Sequence, residues 1–200
     1  MKKAEQYELT RKTLLRVARE LFAERGYANT TTQEIVERAR GTRGSLYYHF
    51  RDKTDIFRAV FEDISLNVVT QVASAVQAAQ GEQGDLWDRL VRVSTDAYLD
   101  ACLDPAFQRI ALLDAASVLD WKEKNAVDEK YGLGFLRGAL QELMDAGLIA
   151  PQALEPLAYL ILGAGREASL YIARADDIPA ARKEMGASLE RLLDGLRVKN

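Results

Sequence analysis

The sequence predicts an all-α protein with a small N-terminal head, a larger helical body and about nine helices in all. Apolar residues recur every three or four positions along almost the whole 200-residue chain, which is the period of an amphipathic helix. No run of about four to eight residues alternates between apolar and polar side chains, as a half-buried strand would. Three of the four prolines, Pro105, Pro151 and Pro179, stand where predicted helices begin and where no hydrogen-bond donor is lost.

The helices are predicted from this periodicity and from the residues at their ends. They cover about residues 9–25, 32–39, 42–50, 51–80, 86–103, 105–118, 122–146, 151–175 and 179–198. We expect Gly26 to end the first helix, and Thr31 with Glu34 to form a capping box at the start of the second. After a tight break at Arg40-Gly41, Thr42 is the expected N-cap of the third helix.

Glycines also divide the body. The loop 81–84 is expected to end the fourth helix, and Gly147 to end the seventh. Because three short helices precede a set of longer ones, we expect two domains, residues 1–52 and residues 53–200.

Charge separates the same two regions. Residues 1–60 carry 13 Lys and Arg against 8 Asp and Glu, whereas residues 61–200 carry 14 against 22. A basic end joined to an acidic body suits a protein that presents one face to a polyanion. An uneven distribution by chance is the alternative.

Composition argues against several other classes of protein. The single cysteine, Cys102, excludes an intrachain disulfide and fits a reducing compartment. With His49 as the single histidine, neither a zinc site built on His and Cys nor a Cys–His catalytic pair is expected, although a carboxylate-bound metal stays open. The charged N-terminus has no signal-peptide pattern, and the longest uncharged run, 64–81, is too polar for a membrane span. We therefore expect a soluble, cytoplasmic protein that uses no cofactor and does not enter a membrane.

The segment GTRGSLYYHF, residues 41–50, has helical spacing but is a poor helix former. Leu46 and Phe50 are four apart, as two buried anchors would be, whereas Gly44 costs about 1 kcal/mol relative to alanine. Two helices joined by a short turn, with a third in front, form a helix-turn-helix, whose second helix enters the DNA major groove N-terminus first. A glycine in that first turn lets the backbone come close to the bases.

Two cations stand where the helix dipole favours anions. Arg43 and Lys53 lie in the first turns of predicted helices, which an external anion would explain: phosphate at Lys53, and guanine or phosphate at Arg43. Tyr47, Tyr48 and His49 follow with hydrogen-bonding groups suited to phosphate oxygens. The alternative is that the tyrosines pack, Tyr47 against the first helix, and that His49 is an ordinary surface or core residue.

The stretch from Leu14 to Phe57 resembles the DNA-binding head of the tetracycline-repressor (TetR) family. The matching features are the LF…GY end of helix one, the TTxxxI opening of helix two, the RGSLYYHF recognition helix and the DK…F start of helix four. One departure is Arg40-Gly41, where the family usually has glycine followed by an apolar residue. The resemblance implies a ligand-responsive transcriptional regulator, most often a repressor, which binds a palindromic operator in double-stranded DNA as a homodimer and is released by a small-molecule effector.

The resemblance also assigns DNA contacts to this chain, with the helix-two threonine and Lys53 on phosphates. The assigned residues are Thr31, Thr32, Thr42, Arg43, Gly44, Ser45, Tyr47, Tyr48, His49 and Lys53.

Beyond residue 60 the resemblance implies architecture only: the last two helices form a four-helix bundle with a partner copy, and the helices before them enclose the effector. Small and apolar residues at helical spacing make up the predicted dimer interface: Leu160, Ala164, Gly165, Ala168, Met185, Leu189, Leu192 and Leu196. Aromatic and polar residues are candidates for the effector pocket: Trp87, Tyr98, Phe107, Arg109, Asp114, Trp121, Tyr131, Phe135 and Arg166. In both cases the alternative is ordinary core packing.

Two other functions compete with this interpretation. One is a DNA-binding protein without an effector, or an activator. The other is an enzyme, which the sequence disfavours because the glycines of YGLGFLRGA, 131–139, lie in a helical pattern with no preceding strand. No Ser-His-Asp set is recognisable either, so we expect no enzyme activity.

Overall fold

A computed structural model describes residues 3–80 and 85–198, and the all-α prediction is confirmed over these ranges. The first four helices are α1 (Lys3–Arg25), α2 (Thr32–Arg38), α3 (Arg43–His49) and α4 (Lys53–Ala78). Three helices contain π-helical segments: α5 (Asp88–Val93, π; Ser94–Ala101), α6 (Phe107–Asp114, π; Ala115–Val118) and α7 (Trp121–Asp128; Glu129–Leu133, π; Gly134–Asp145). The last two are α8 (Leu154–Ala173) and α9 (Ile178–Asp194).

The chain forms two compact units, and neither is one continuous stretch of sequence. The first unit comprises residues up to Ile64 together with Pro105–Asn125, and the second comprises Ser65–Asp104 together with residues from Ala126 onward. Two of the three boundaries therefore fall inside α4 and α7, and the third lies between α5 and α6. The functional division at residue 52 stays a prediction.

The first unit is built around the buried faces of its helices. Leu14, Phe22, Ile35, Leu46 and Ile56 are all at most 2% exposed. The α6 helix packs on α1 within this unit, so a segment of the predicted body completes the core of the head.

The second unit has a separate core, to which α5, α7, α8 and α9 contribute. Trp87, Leu99, Leu133 and Ile149 are among its most buried side chains. The indole nitrogen of Trp87 donates to Asp194 Oδ1 at 2.9 Å, which satisfies the one polar atom of a buried ring.

Most predicted helix ends are confirmed. Thr31 forms a capping box with Glu34, and Thr42 caps α3. Gly26 and Gly147 have positive φ values of +77° and +68° directly after helices, the conformation that glycine adopts most readily. The predicted end of the fourth helix at 81–84 lies outside the described residues.

Two predicted helix starts are wrong. The α1 helix begins at Lys3, because residues 3–8 continue the helix with few apolar side chains and so give no periodic signal. The α8 helix begins at Leu154, and Pro151 lies in the preceding loop. In the same segment, Ile149 pairs with Arg197 in an antiparallel bridge. Pro105 and Pro179 do stand in first turns, as predicted.

Candidate DNA interface

The short α3 helix is fixed at its start and along one face. Ser45 N–H donates to Thr42 Oγ1 at 3.1 Å, and Thr42 N–H donates to Ser45 Oγ at 3.2 Å. Leu46 is fully buried, and Phe50 is 3% exposed. Reciprocal capping and two buried anchors hold a seven-residue helix that would be unstable alone.

The remaining face of α3 is open to solvent. Arg43 and Gly44 are exposed, and Tyr47 and Tyr48 are 51% and 71% exposed. The alternative in which Tyr47 is buried against the first helix is therefore wrong. Large aromatic side chains left in water on a well-anchored helix are available to a partner molecule.

Gly44 is not required by the fold. A Cβ added there would come no closer than 3.9 Å to another side chain, Thr42 Oγ1, which is ordinary van der Waals contact. The backbone of α3 thus accepts a better helix former at this position. No contact among the described residues therefore requires glycine at this position.

His49 is packed more closely than the sequence indicates. Its ring lies 4.3 Å from that of Tyr7, on the part of α1 that periodicity missed. Burial and the nearby Arg11 charge lower the pKa of His49, with Glu8 acting in the opposite direction. The imidazole is therefore neutral at pH 7, and its Nδ1 is buried without a hydrogen-bond partner. A neutral imidazole offers phosphate a hydrogen bond but no charge.

Lys53 has partners within the chain. Its Nζ donates to the carbonyl oxygens of Tyr27 at 2.8 Å and Thr30 at 2.9 Å, and lies 4.0 Å from the centre of the Tyr27 ring. These acceptors explain a cation at the start of α4 without an external anion. A phosphate contact by Lys53 stays a prediction.

The threonines of helix two differ in availability. Thr31 Oγ1 lies 2.8 Å from Glu34 Oε2 within the capping box, so its hydroxyl already has a partner. Thr32 is half-buried, and its phosphate contact stays a prediction.

The turn between α2 and α3 shows how the Arg40-Gly41 departure is accommodated. Arg40 has φ +53°, the one positive φ of a non-glycine residue in the described ranges. Gly41 N–H donates to Val36 O at 2.9 Å and closes the turn. A left-handed conformation costs a non-glycine residue about 1 kcal/mol, so Arg40 stores strain beside the recognition helix.

The predicted pocket residues are divided between the two units. Phe107, Arg109, Asp114 and Trp121 belong to the first unit, and Trp87, Tyr98, Tyr131, Phe135 and Arg166 to the second. Trp87 is core, at 1% exposed, whereas Trp121 is 74% exposed. Asp114 accepts a hydrogen bond from the backbone of Tyr27 in the head, a role that the sequence analysis did not foresee.

A buried polar cluster lies in the second unit. The Ser169 hydroxyl lies 3.4 Å from that of Tyr98. Burial raises the pKa of Cys102 to about 12 and also raises the pKa of Tyr98. Both groups stay neutral at pH 7, and neither is an activated nucleophile. Nearby, Arg166 forms a 2.9 Å ion pair with Asp128.

The predicted dimer residues are partly exposed and partly internal. Leu160 on α8 and Leu192 on α9 are 71% and 61% exposed. Ala164, Met185 and Leu196 are half-buried, and Gly165, Ala168 and Leu189 are buried within their own chain. A Cβ on Gly165 would lie 3.1 Å from the Tyr98 ring. Leu160 and Leu192 are thus the members of the set that are exposed enough to meet another copy.

Two kinds of feature are missing from the residues that the structure describes. They contain no cluster of three or more His, Cys, Asp or Glu that could hold a metal ion. Within the same residues no helix is long and apolar enough to cross a membrane.

Comparison with known proteins identifies both parts of the chain. Residues 14–60 match the sequence model of bacterial regulatory proteins of the tetR family, and residues 87–196 match that of a tetracyclin repressor-like C-terminal domain. A solved TetR-family transcriptional regulator from Pectobacterium atrosepticum is 34% identical, with 100% of this chain and 99% of that chain covered and a TM-score of 0.79.

Two curated relatives match different shares of the chain. The Tn10 TetC protein of Escherichia coli is 23% identical over 80% of this chain and 78% of its own length. The regulator QacR of Staphylococcus aureus is 50% identical over 44 residues, which are 22% of this chain and 23% of QacR. The QacR match is thus higher in identity than the TetC match and covers a shorter part of the chain.

Proposed function

Because the chain belongs to the TetR family of transcriptional regulators, we propose that it is a repressor that binds a palindromic operator as a homodimer and leaves it when a small molecule binds. The observation that carries this proposal is the outward face of α3. Four neighbouring positions, Arg43, Gly44, Tyr47 and Tyr48, are exposed on a helix that is held firmly from behind.

These side chains suit the major groove. Arg43 lies in the first turn, where a guanidinium can form two hydrogen bonds to the O6 and N7 atoms of a guanine. The bare backbone at Gly44 allows close approach, and the hydroxyls of Tyr47 and Tyr48 can donate to phosphate oxygens on either side. In this arrangement Arg43 specifies sequence, and the tyrosines set the register.

A homodimer supplies the length of DNA that one short helix cannot cover. Leu160 and Leu192 are large apolar side chains exposed on α8 and α9, where a partner copy would bury them. Two heads on one face of the duplex must lie about 34–36 Å apart to enter successive major grooves. The operator is therefore expected to be a palindrome.

Release requires a body that senses a small molecule. The α4 helix contributes residues to both units, so we propose it as the element that transmits effector binding to the head. A coupling of about 1–3 kcal/mol lowers operator affinity by about 5- to 150-fold.

The DNA-binding part of the proposal is tested by selecting duplexes from a random library with the full chain. A palindrome with half-sites about one helical turn apart is expected. A library from which no sequence is enriched would overturn the proposal.

The effector part has a separate test. Small molecules that raise the Tm of the chain are titrated against the protein bound to its selected duplex. Operator affinity is expected to fall, and operator DNA must weaken effector binding by the same factor. A ligand that saturates the protein without altering operator affinity is not an inducer, and a library containing only such ligands favours effector-independent DNA binding.

A further inference from the structure

The corner that follows α1 is held by a residue from a distant part of the chain. The Tyr27 N–H group donates to Asp114 Oδ2 at 2.8 Å, although the two residues are 87 positions apart. Asp114 is the last residue of the π-helical segment of α6, and such distortions are frequent at functional sites. The side chain of Asp114 is 15% exposed, so the hydrogen bond is largely shielded from water.

A second α6 side chain covers the same corner. The guanidinium of Arg109 lies against the bare face of Gly26, where a Cβ would come within 2.1 Å of one of its nitrogens. Arg109 Nε is 3.5 Å from Asp114 Oδ2. Gly26 is therefore required for its φ of +77°, and its missing side chain leaves the space that the Arg109 guanidinium occupies.

The same corner is tied to α4 and leads directly into α2. The carbonyl of Tyr27 accepts from Lys53 Nζ at 2.8 Å, and its hydroxyl is 2.9 Å from Thr54 Oγ1. Thr30, which is fully buried, donates from Oγ1 to Gly26 O at 2.9 Å. The next residue, Thr31, is the N-cap of α2. A shift at Tyr27 thus reaches α2, on which α3 packs.

We propose that Asp114 is a positioning residue for sequence-specific DNA binding: it anchors the Gly26–Tyr27 corner and so fixes the placement of α2 and α3. This inference rests on the proposed function. It reassigns Asp114 and Arg109, which the sequence analysis placed among effector-pocket candidates, to the support of the head. Neither residue contacts the exposed face of α3 in this role.

The test compares full-length variants on two duplexes, the one selected by the wild-type chain and a random sequence, at one salt concentration. Asp114→Ala removes the acceptor, so the corner is expected to occupy its binding-competent position in a smaller fraction of the free protein. A competent fraction of about one-tenth weakens binding to the selected duplex about tenfold. Affinity for the random duplex, which depends on phosphate contacts, is expected to stay unchanged. Asp114→Asn keeps an oxygen acceptor for Tyr27 N–H and is expected to restore part of the loss.

Asp63→Asn is the matched control, because it removes the same charge from an exposed position of the same unit. It is expected to leave both affinities unchanged. The anchor itself is read from hydrogen exchange of the Tyr27 amide in DNA-free protein, which is expected to accelerate in Asp114→Ala and not in Asp63→Asn.

The outcomes separate this inference from the proposed function. Equal losses on both duplexes, wild-type affinity in Asp114→Ala, or unchanged Tyr27 exchange would each overturn the role of Asp114. A wild-type chain that selects no sequence would overturn the proposed function instead, and the exchange measurement would still show whether Asp114 anchors the corner.

Discussion

The glycines of α3 and α8 have opposite surroundings. A Cβ on Gly44 in α3 would make only ordinary van der Waals contact, whereas a Cβ on Gly165 in α8 would lie 3.1 Å from the Tyr98 ring. The tyrosines nearby differ in the same way: Tyr48 is 71% exposed, and burial raises the pKa of Tyr98. From the sequence, both glycines are predicted to be positions where a partner molecule comes close. In the structure Gly165 is needed by its own chain, and Gly44 is not.

The difference shows which sequence features are explained by folding. A residue that costs stability and fills no structural need, such as Gly44, points to a requirement outside the chain. A residue whose absence of a side chain fits a neighbour, such as Gly165, needs no partner molecule to explain it. The candidate DNA surface is therefore supported by Gly44, a residue that packing within the chain does not require.

The largest expected effect is at Gly165. Gly165→Glu would place a charge at a buried position against the half-buried Tyr98 ring and is expected to destabilise the protomer by about 4 kcal/mol, measured by urea unfolding. Leu160→Glu, at an exposed site on the same helix, is the matched control: it is expected to unfold cooperatively and to lower self-association in sedimentation. A Gly165→Glu variant that is a stable monomer would restore the sequence-based view of Gly165 as an interface residue.

Substitution of Arg43 tests the role of the exposed face of α3. Arg43→Ala is expected to lose about 1–3 kcal/mol on the selected duplex and to relax preference at one base pair per half-site. Because Arg43 is exposed in the free protein, the unfolding free energy is expected to change by less than about 0.5 kcal/mol. Equal losses on selected and random DNA would show that Arg43 contacts phosphate only.

Lys53 has hydrogen-bond partners within the chain and is also a predicted DNA contact. Lys53→Ala removes the donor to the Tyr27 and Thr30 carbonyls and is expected to lower the unfolding free energy by about 1–2 kcal/mol. The slope of log affinity against log salt separates this structural role from a phosphate contact. A slope reduced by about one unit would add a phosphate contact to the structural one, and a variant of wild-type stability would contradict the structural role.

The smallest expected effect is at Gly44, where stability and binding should change in opposite directions. Gly44→Ala is expected to raise the unfolding free energy by about 0.5–1 kcal/mol, because the added methyl meets no obstacle. The same variant is expected to bind the selected duplex more weakly. Unchanged affinity together with higher stability would mean that no close approach occurs at Gly44.

What the sequence predicted well is local. The capping box at Thr31, the N-cap at Thr42 and the glycine ends at Gly26 and Gly147 depend on residues within a few positions of each other, so composition and spacing are enough. The positions of Leu46 and its neighbours in the same way predicted which face of α3 is buried and which is exposed.

What the sequence missed depends on contacts between distant residues. The first turns of α1 carry Tyr7, whose role is visible only in its packing on His49. Asp114 and Tyr27 are 87 positions apart, and no periodicity links them. Lys53 could be recognised as a cation in an unusual place, but its carbonyl acceptors could not, because they are provided by the path of the loop after α1.

The discontinuity of the first unit limits how the protein can be recombined. A single crossover after Ile64 would transplant the DNA-reading helices but leave Pro105–Asn125 behind. The graft would then lose the Asp114 acceptor for Tyr27 and expose the surface that Ile110 and Ala115, both fully buried, now cover. A functional chimaera is expected to need both segments from one parent, unless the other parent also has an acidic residue at the position of Asp114. We therefore expect the DNA-binding head and α6 to be exchanged between relatives together, as one unit.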